Sequence, residues 1–352
     1  MAQAFGNRVL TTTNQHIMPS LVDTILNSNV LATRVLKSAK KWSGERMLFP
    51  IKFAKNNTFQ SFSGFDTMPI QGVNTRVRLE YFPSFARINI SLPLDELSVN
   101  SDNEEKILSL IDLEVKSAAQ DMADGIGDLF YGDGTGNFGK DFLGLGALVD
   151  DGTVASTIGG LSRSTYSTLQ STKTASGGTL SLDKMSTLYN AVSSGSITPT
   201  LGVTTKAVFA LYERLLQPQE RVVKDVPMMK FSASNGLNTG SGLIGGTGFT
   251  GLFFKGFPIL ADEKCTSGSL YFLNENFLDF YAVTMWGTEA IKYGSVKVEG
   301  NDYGTPLGLG FSWSGWKKTF NQATVTGDVY LGGQFVTDNP KRHGVLTGAT
   351  TI

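Results

Sequence analysis

The chain has 352 residues, of which 41% are hydrophobic, together with a net charge of −1 and a single cysteine, Cys265. This length allows two domains with a buried core, and the near-neutral charge by itself favours neither nucleic acid nor a membrane as partner. One cysteine excludes a disulfide within the chain and a cysteine-based metal cage. The first residues lack the apolar core of a secretion signal and no run of eighteen apolar residues occurs, so we expect a soluble, cytoplasmic protein.

Residues 1–45 predict an extended arm with one short helix near residues 21–26, because apolar positions are sparse and irregular. We expect this arm to lie against another surface. It carries a basic cluster, Lys37, Lys40 and Lys41. These lysines either contact nucleic acid phosphates or pair with the acidic helix predicted at residues 101–131, of the same or a neighbouring subunit, and we favour pairing.

In residues 46–95 apolar side chains recur with the period of two that is typical of strands. Phe49, Ile51 and Phe53 alternate in the first strand, and residues 76–92 form the part of the hairpin that runs back. Two strands alone are marginal in water, so this hairpin needs a second surface to cover it. Its polar, Gly- and Ser-rich tip contains three phenylalanines with no obvious intrachain core. We predict contacts to a neighbouring subunit from five side chains of the hairpin: Phe59, Phe62, Phe65, Arg76 and Arg78.

Residues 101–131 predict one long helix, because Ser101 and Glu104 form a capping box and apolar residues recur at steps of three and four. About thirty residues at 1.5 Å each span roughly 45 Å. The segment holds eight Asp or Glu against two Lys or Arg, whereas residues 1–55 hold eight Lys or Arg against two Asp or Glu. The acidic face of the helix, with Glu104, Glu105 and Asp112, is therefore expected to be solvated or to meet a basic partner.

Beyond the helix the elements alternate irregularly, which favours the α+β class. Residues 182–194 and 205–217 have helical spacing, and the stretch at 171–180 is polar and predicted to be flexible. Strands are predicted at three further places: 253–261, 269–273 and 326–337.

The sequence contains only weak matches to the motifs that are typical of enzymes. Gly134–Lys140 resembles a nucleotide-binding loop, but a helix precedes it and Asp141 replaces the Ser or Thr that binds magnesium, so we favour a plain turn. His16 and His343 lie near opposite ends without companions at ligand spacing, and Cys265 has no nearby histidine. We therefore predict no catalytic residue, no cofactor and no metal site.

The order of parts resembles the major capsid proteins of tailed bacteriophages with the Hong Kong 97-type fold. Local stretches are similar as well, namely Gly159–Ser164 after the helix, Lys255–Asp262, and Gly268–Asn274. The resemblance implies an N-terminal arm, an extended β-hairpin loop, a peripheral domain containing a long spine helix, an axial domain, and a return. In this sequence the arm is 1–45, the extended loop is 46–95, and the peripheral domain is 96–181 with the spine helix at 101–131. The axial domain is 182–262, and the return to the axial and peripheral domains is 263–352.

The resemblance further implies a major capsid protein that self-assembles as pentamers and hexamers into an icosahedral shell around packaged double-stranded DNA. It implies a homo-oligomer without an active site, assembled in the host cytoplasm and located in the virion, with non-specific DNA contact and no membrane. Scaffolding, portal and decoration proteins are possible partners. Some relatives crosslink a lysine of the extended loop, and Lys52 and Lys55 lie in that region, but no partner asparagine is evident and we predict no crosslink.

Two alternatives stay open. An encapsulin-type nanocompartment has the same fold and encloses cargo enzymes. A nucleotide-binding enzyme built on Gly134–Lys140 is the alternative from a different class of protein.

Overall fold

The structure, a computed structural model, describes residues 29–42, 44–68, 72–95, 104–216, 251–283, 305–308, 311–314 and 316–352. Its helices are α1 (Val30–Lys37), α2 (Glu104–Tyr131), α3 (Leu145–Leu148), α4 (Leu182–Val192) and α5 (Lys206–Leu216). Its strands are β1 (Lys40–Lys41), β2 (Met47–Lys52), β3 (Arg76–Tyr81), β4 (Ser84–Pro93), β5 (Thr157–Ile158), β6 (Leu161–Ser162), β7 (Thr172–Thr179), β8 (Leu201–Thr204), β9 (Gly251–Phe254), β10 (Phe257–Ala261), β11 (Leu270–Leu273), β12 (Leu278–Val283), β13 (Thr305–Gly308), β14 (Phe311–Trp313), β15 (Lys317–Lys318), β16 (Thr324–Thr337) and β17 (Gly344–Thr351).

A seven-stranded sheet is assembled around β16, which pairs with β4, β12, β14 and β15. The C-terminal part of α2 packs on this sheet, where the ring of Phe130 stacks on Phe335 with centroids 5.2 Å apart and meets Phe280 at 5.7 Å. All three rings are fully buried. The first hydrophobic core therefore lies between the long helix and the sheet.

The strand β4 corrects the expectation that the whole hairpin needs a neighbour to cover it. It pairs antiparallel with β16 from Ser84↔Gly333 to Pro93↔Thr324, and Ile90 and Leu92 are buried. The hairpin proper consists of β2 and β3, which pair from Met47↔Tyr81 to Lys52↔Arg76. The sequence pattern predicted the strand but not its partner, because the partner lies more than two hundred residues away.

A six-stranded sheet with the order β7-β17-β11-β8-β10-β9 forms the second layer, and α4 and α5 cover it. The two helices agree with the predicted ranges to within two residues. Phe254, Phe257 and Phe272 form an aromatic group in this core, with centroid separations of 5.0–6.0 Å.

Two predictions about this sheet are wrong. The stretch at 171–180, predicted to be flexible, forms the edge strand β7, because its backbone pairs in parallel with β17. The single strand predicted at 253–261 is the hairpin β9–β10, whose turn residues Lys255 and Gly256 have φ of 45° and 94°. The sheet also takes strands from outside the range 182–262.

The part of the predicted arm at residues 29–42 is anchored to its own chain, which corrects the expectation that it lies against another surface. The α1 residues Leu31 and Leu36 are buried, and Leu31 N donates to the Asp262 carboxylate at 3.1 Å. Arg34 donates two hydrogen bonds to Glu275, at 2.6 and 2.8 Å. The predicted helix near residues 21–26 lies outside the described residues.

Helix α2 continues through Gly125 and Gly127, and Gly127 is the point where α1 approaches it. Asn29 Nδ2 donates to Ala123 O at 2.7 Å. A Cβ at position 127 would lie 2.7 Å from both Asn29 Nδ2 and Lys264 Cγ, whereas a Cβ at position 125 would meet nothing within 4 Å. The first glycine is therefore open to substitution, and the second is required by packing.

We predict opposite effects for the two alanine substitutions in α2. Gly127→Ala should lower the free energy of unfolding by about 1–3 kcal/mol, since the buried Asn29 must shift. Gly125→Ala should raise it by about 0.5–1 kcal/mol through helix propensity alone. Chemical denaturation of both variants measures the difference, and equal stability of the two would contradict the packing argument.

Candidate assembly surfaces

The root of the β2–β3 hairpin is firmly attached to the body of the subunit. Phe49 packs edge-on against Tyr281 at 5.6 Å and against Tyr81 at 5.9 Å. Tyr81 is buried and its hydroxyl donates to Thr337 O at 2.9 Å. Along β3 the inward residues Leu79 and Tyr81 alternate with outward ones, so one face of the hairpin root is part of the core.

The tip of the hairpin, described at residues 53–68 and 72–75, presents its aromatic side chains to solvent. Phe59, Phe62 and Phe65 are 94%, 65% and 105% exposed. The hydrogen bonds within the tip close local turns, among them Ser63 N to the Asp66 carboxylate at 2.7 Å. The predicted contact residues are thus grouped on a protruding element, and three large apolar side chains on one exposed tip are typical of a contact surface.

The predicted arginines lie on the outward face of β3. Arg76 is exposed. Arg78 Nε lies 2.9 Å from Glu80 Oε1, and Arg46 Nη1 lies 3.1 Å from the other oxygen of the same carboxylate. Such exposed ion pairs contribute little to stability. Because one glutamate is shared by two arginines, the hairpin keeps a positive surface.

The structure separates the three lysines of the basic cluster. Lys37 and Lys41 are exposed, whereas Lys40 donates to Asp279 on β12 at 2.5 Å. Partial burial lowers the pKa of Lys40, but the hydrogen bond and the charge of Asp279 outweigh it and raise the pKa above the usual lysine value. Lys40 therefore pairs with β12 and not with the acidic long helix, which corrects the predicted pairing for this residue. Lys37 and Lys41 are exposed, and their pairing stays a prediction.

The acidic face of α2 is described only in part, because the side chains of Glu104, Glu105 and Asp112 lie outside the description. Further along the helix Asp121, Asp124 and Asp128 are exposed. Lys264 Nζ lies 3.6 Å from Asp124 and 3.3 Å from Asp128. Sequence reasoning missed this lysine, since nothing local connects residue 264 to the helix.

An open groove of about 670 Å³ lies between β4 and the C-terminal half of α2, and residues from the loop 132–142 also line it. Phe85 and Ile88 contribute apolar surface to it, and the buried Met122 and Ile126 also line it. Carboxylates also line it: Asp121, Asp128, Asp133 and Asp141. The groove combines an apolar lining with acidic groups, and the sequence did not predict it.

The segment Gly134–Lys140 forms a helical turn directly after α2. Asn137 and Phe138 have φ of 50° and 61°, and Phe138 is 101% exposed. A phosphate loop needs a strand before it and a helix starting at it. Here a helix precedes, and the one turn of helix at Gly136–Gly139 is interrupted by the left-handed Asn137 and Phe138, so this stretch has the geometry of a turn.

The cysteine and the histidine that the structure describes, Cys265 and His343, are both buried. Cys265 is buried, and burial raises the pKa of its thiol well above the usual range. His343 is also buried, and burial lowers its pKa to about 4; Asn274 N donates to its Nδ1 at 3.3 Å. His16 lies outside the described residues. Within the described part of the chain, no group of three or more His, Cys, Asp or Glu side chains is arranged to hold a metal ion.

No protein-family model matches the sequence, and no curated protein matches it. Solved structures do match. The capsid of cyanophage A-1(L) is similar with a TM-score of 0.64 and 17% identity, over 96% of this chain and 94% of the other. The SrpI encapsulin of Synechococcus elongatus is similar with a TM-score of 0.52 and 11% identity, over 91% of this chain and 87% of the other.

The chain has the Hong Kong 97-type capsid fold. The predicted α+β class and the resemblance to this fold are confirmed. The helix α2 lies within the range predicted for the spine helix, 101–131, and the β2–β3 hairpin lies within the range predicted for the extended loop, 46–95. The predicted domain boundaries and contact residues stay predictions. No helix of the described residues is long and apolar enough to cross a membrane.

We predict that His343 makes the folded subunit sensitive to acid. Its folded pKa of about 4 lies below the unfolded value of about 6.5, so between these values the unfolded chain binds a proton that the folded chain does not. As pH falls from 7 to 4.5, this should remove about 2 kcal/mol from the free energy of unfolding.

The variant His343→Gln should lose less stability than the wild type over the same pH interval, by about 2 kcal/mol. Denaturant unfolding of both proteins at pH 7 and pH 4.5 measures this difference. An identical pH dependence in the two proteins would show that His343 is not the titrating group.

Proposed function

We propose that this protein is a major capsid protein whose subunits assemble as pentamers and hexamers into an icosahedral shell around packaged double-stranded DNA. Two solved structures that resemble it over more than nine tenths of its length come from a cyanophage capsid and from an encapsulin complex. The proposal places assembly in the host cytoplasm and the finished shell in the virion. Scaffolding, portal and decoration proteins are its proposed further partners.

The observation that carries the proposal is the contrast between the two ends of the hairpin. The root is packed into the core through Phe49 and Tyr81, whereas Phe59, Phe62 and Phe65 at the tip are exposed. Burying a phenylalanine contributes about 1.5–3 kcal/mol. A firmly rooted element with three such side chains at its tip is suited to bind a neighbouring subunit.

The groove between β4 and α2 is the acceptor that we propose for this tip. The hairpin carries Lys52, Lys55 and Arg76 as outward cations, and the groove is lined by four aspartates against two cations, namely Asp121, Asp128, Asp133 and Asp141 against Arg87 and Lys140. Opposite charges steer the two surfaces together, and the apolar lining provides a place for the aromatic rings. We therefore propose that the tip of one copy lies in the groove of the next.

An encapsulin-type shell is the second candidate function, and the similarity to the SrpI encapsulin favours it. The contents of purified shells separate the two candidates. Nuclease-resistant double-stranded DNA is expected for a capsid, and a co-purifying enzyme for a nanocompartment. Saturable nucleotide binding by the subunit would instead support the enzyme alternative at Gly134–Lys140.

We predict that the triple variant Phe59→Ser, Phe62→Ser and Phe65→Ser folds but fails to form shells. Loss of about 1 kcal/mol or more for each ring should raise the subunit concentration needed for assembly at least about 100-fold. Light scattering and electron microscopy measure assembly, and thermal denaturation measures folding.

The matched control replaces the same three residues by leucine, which keeps much of the apolar surface. Leucine variants should assemble at concentrations closer to those of the wild type. Normal shells from the serine variant would overturn the assignment of the tip as a contact surface.

A second prediction concerns the basic cluster. Lys37→Glu combined with Lys41→Glu should reduce the yield of shells even in nucleic acid-free assembly, because both side chains are exposed and neither takes part in the Lys40–Asp279 pair. The single variant Lys40→Glu should instead lower subunit stability, since it places a carboxylate beside Asp279. Shells that form normally from the double variant but enclose less DNA would favour the nucleic acid interpretation.

A further inference from the structure

The segment 147–171, which runs from the last turn of α3 to the start of β7, is held together by a buried ion pair. Arg163 and Asp150 are both at most 1% exposed, and Arg163 Nη1 lies 3.4 Å from the carboxylate and donates to Asp150 O at 2.6 Å. Arg163 Nη2 donates to Ala147 O at 2.5 Å. The guanidinium thereby connects the start of the segment to its middle.

The Asp150 carboxylate organises the same segment from the other side of the pair. It accepts hydrogen bonds from the amides of Gly152, Val154 and Ala155, at 2.8, 2.9 and 3.1 Å, and Lys173 Nζ lies 3.2 Å away. Burial by itself raises the pKa of Asp150, but these donors outweigh it and hold the pKa well below the usual range. The carboxylate therefore stays charged, and the loop is fixed at neutral pH and under mild acid.

This rigid segment contacts the hairpin at two places. The first is the β5–β6 turn, where Gly159 O accepts from Glu80 N at 2.9 Å on the free edge of β3. A Cβ at Gly159 would lie 2.8 Å from Leu79 Cβ and 3.2 Å from Glu80 N. The β5–β6 turn therefore lies so close to β3 that a side chain at residue 159 would collide with Leu79.

The second contact lies further towards the tip. The ring of Tyr166 meets Phe53 edge-on with centroids 5.2 Å apart, and Tyr166 N is tied to Ser162 O at 3.1 Å. Phe53 follows the last residue of β2, and its amide continues the hairpin pairing to Thr75 O at 3.0 Å. The segment therefore supports the hairpin beyond the root contacts of Phe49 and Tyr81.

We propose that residues 147–171 act as a brace that sets the tilt of the β2–β3 hairpin, with Gly159 and Tyr166 as the positioning residues, and that this tilt determines the shape of the shell. A projecting element held at its root alone rotates about that root, and a second support further along its length removes this freedom. The part that concerns the shell rests on the proposed function. The part that concerns the hairpin does not.

Two adjacent glycines supply a matched pair of variants. Gly159 and Gly160 have φ of 53° and 78°, so alanine is strained at either position. A Cβ at Gly160, however, meets nothing within 4 Å. Gly159→Ala therefore adds a collision with Leu79 to a backbone strain that both variants share, and Gly160→Ala controls for the strain.

The tilt is measured on the free subunit by the distance between two spin labels. Ser61→Cys on the tip and Lys341→Cys on the body are exposed sites, and the native Cys265 is buried. Gly159→Ala should shift or broaden the distance distribution, and Gly160→Ala should leave it unchanged. Tyr166→Leu, which removes the ring contact without adding a collision, should broaden it as well and serves if Gly159→Ala does not fold.

The shells are then examined by electron microscopy. Gly159→Ala should lower the yield of closed shells of wild-type diameter at least about tenfold, which corresponds to about 1.4 kcal/mol for each assembling unit. An unchanged distance distribution in both Gly159→Ala and Tyr166→Leu would overturn the brace.

A changed distribution with a normal yield of wild-type shells would overturn the connection between tilt and shell shape. If the wild-type protein itself forms no shells, the proposed function fails, and the distance measurement alone decides whether the brace exists.

Discussion

The pairing of β16 with strands from both ends of the described chain is the constraint on which the fold depends. Its fourteen residues pair with β4 and with β12, and after one short 3₁₀ turn the chain enters the six-stranded sheet as β17. The buried His343 lies at this crossing, where its Nε2 is 3.1 Å from Thr337 Oγ1. Neither sheet is complete until the C-terminal part of the chain is in place, so long-range pairing must precede full stability.

This dependence explains which parts of the fold the sequence could predict. Helices α2, α4 and α5 follow from local periodicity, and the aromatic tip follows from three phenylalanines in a polar stretch without a local core. The partner of β4, the edge strand β7 and the anchoring of α1 by Asp262 and Glu275 depend on residues that are distant in sequence. A single sequence carries no signal for such contacts, and polar segments that they order therefore look flexible.

The candidate assembly surfaces also include parts that the sequence could predict and parts that it could not. The sequence indicated the tip as a contact surface, because Phe59, Phe62 and Phe65 lie in a polar stretch that offers them no local core. It did not indicate the groove beside α2, since β4, the helix and the loop 132–142 come together only in the folded chain. It also grouped Lys40 with Lys37 and Lys41, although Asp279 on β12 engages Lys40 within the subunit. Charge counts along a chain show where charge is located, but only tertiary contacts show which of those charges meet a partner in the same subunit.

Closed assemblies impose a requirement that a single subunit does not. Heterologous contacts close into a shell only when each copy presents its two surfaces at a fixed relative angle, because an angular error repeats at every contact. The hairpin tip and the groove belong to different elements of this chain, so their relative angle depends on whatever fixes the hairpin to the body. The aromatic contacts of Phe49 and Tyr81 fix its root, and the Arg163–Asp150 pair stiffens the segment that meets it further out. Replacement of a buried ion pair by apolar residues is often neutral or stabilising for folding itself, so the Arg163–Asp150 pair is better accounted for by the brace that we propose than by a contribution to stability.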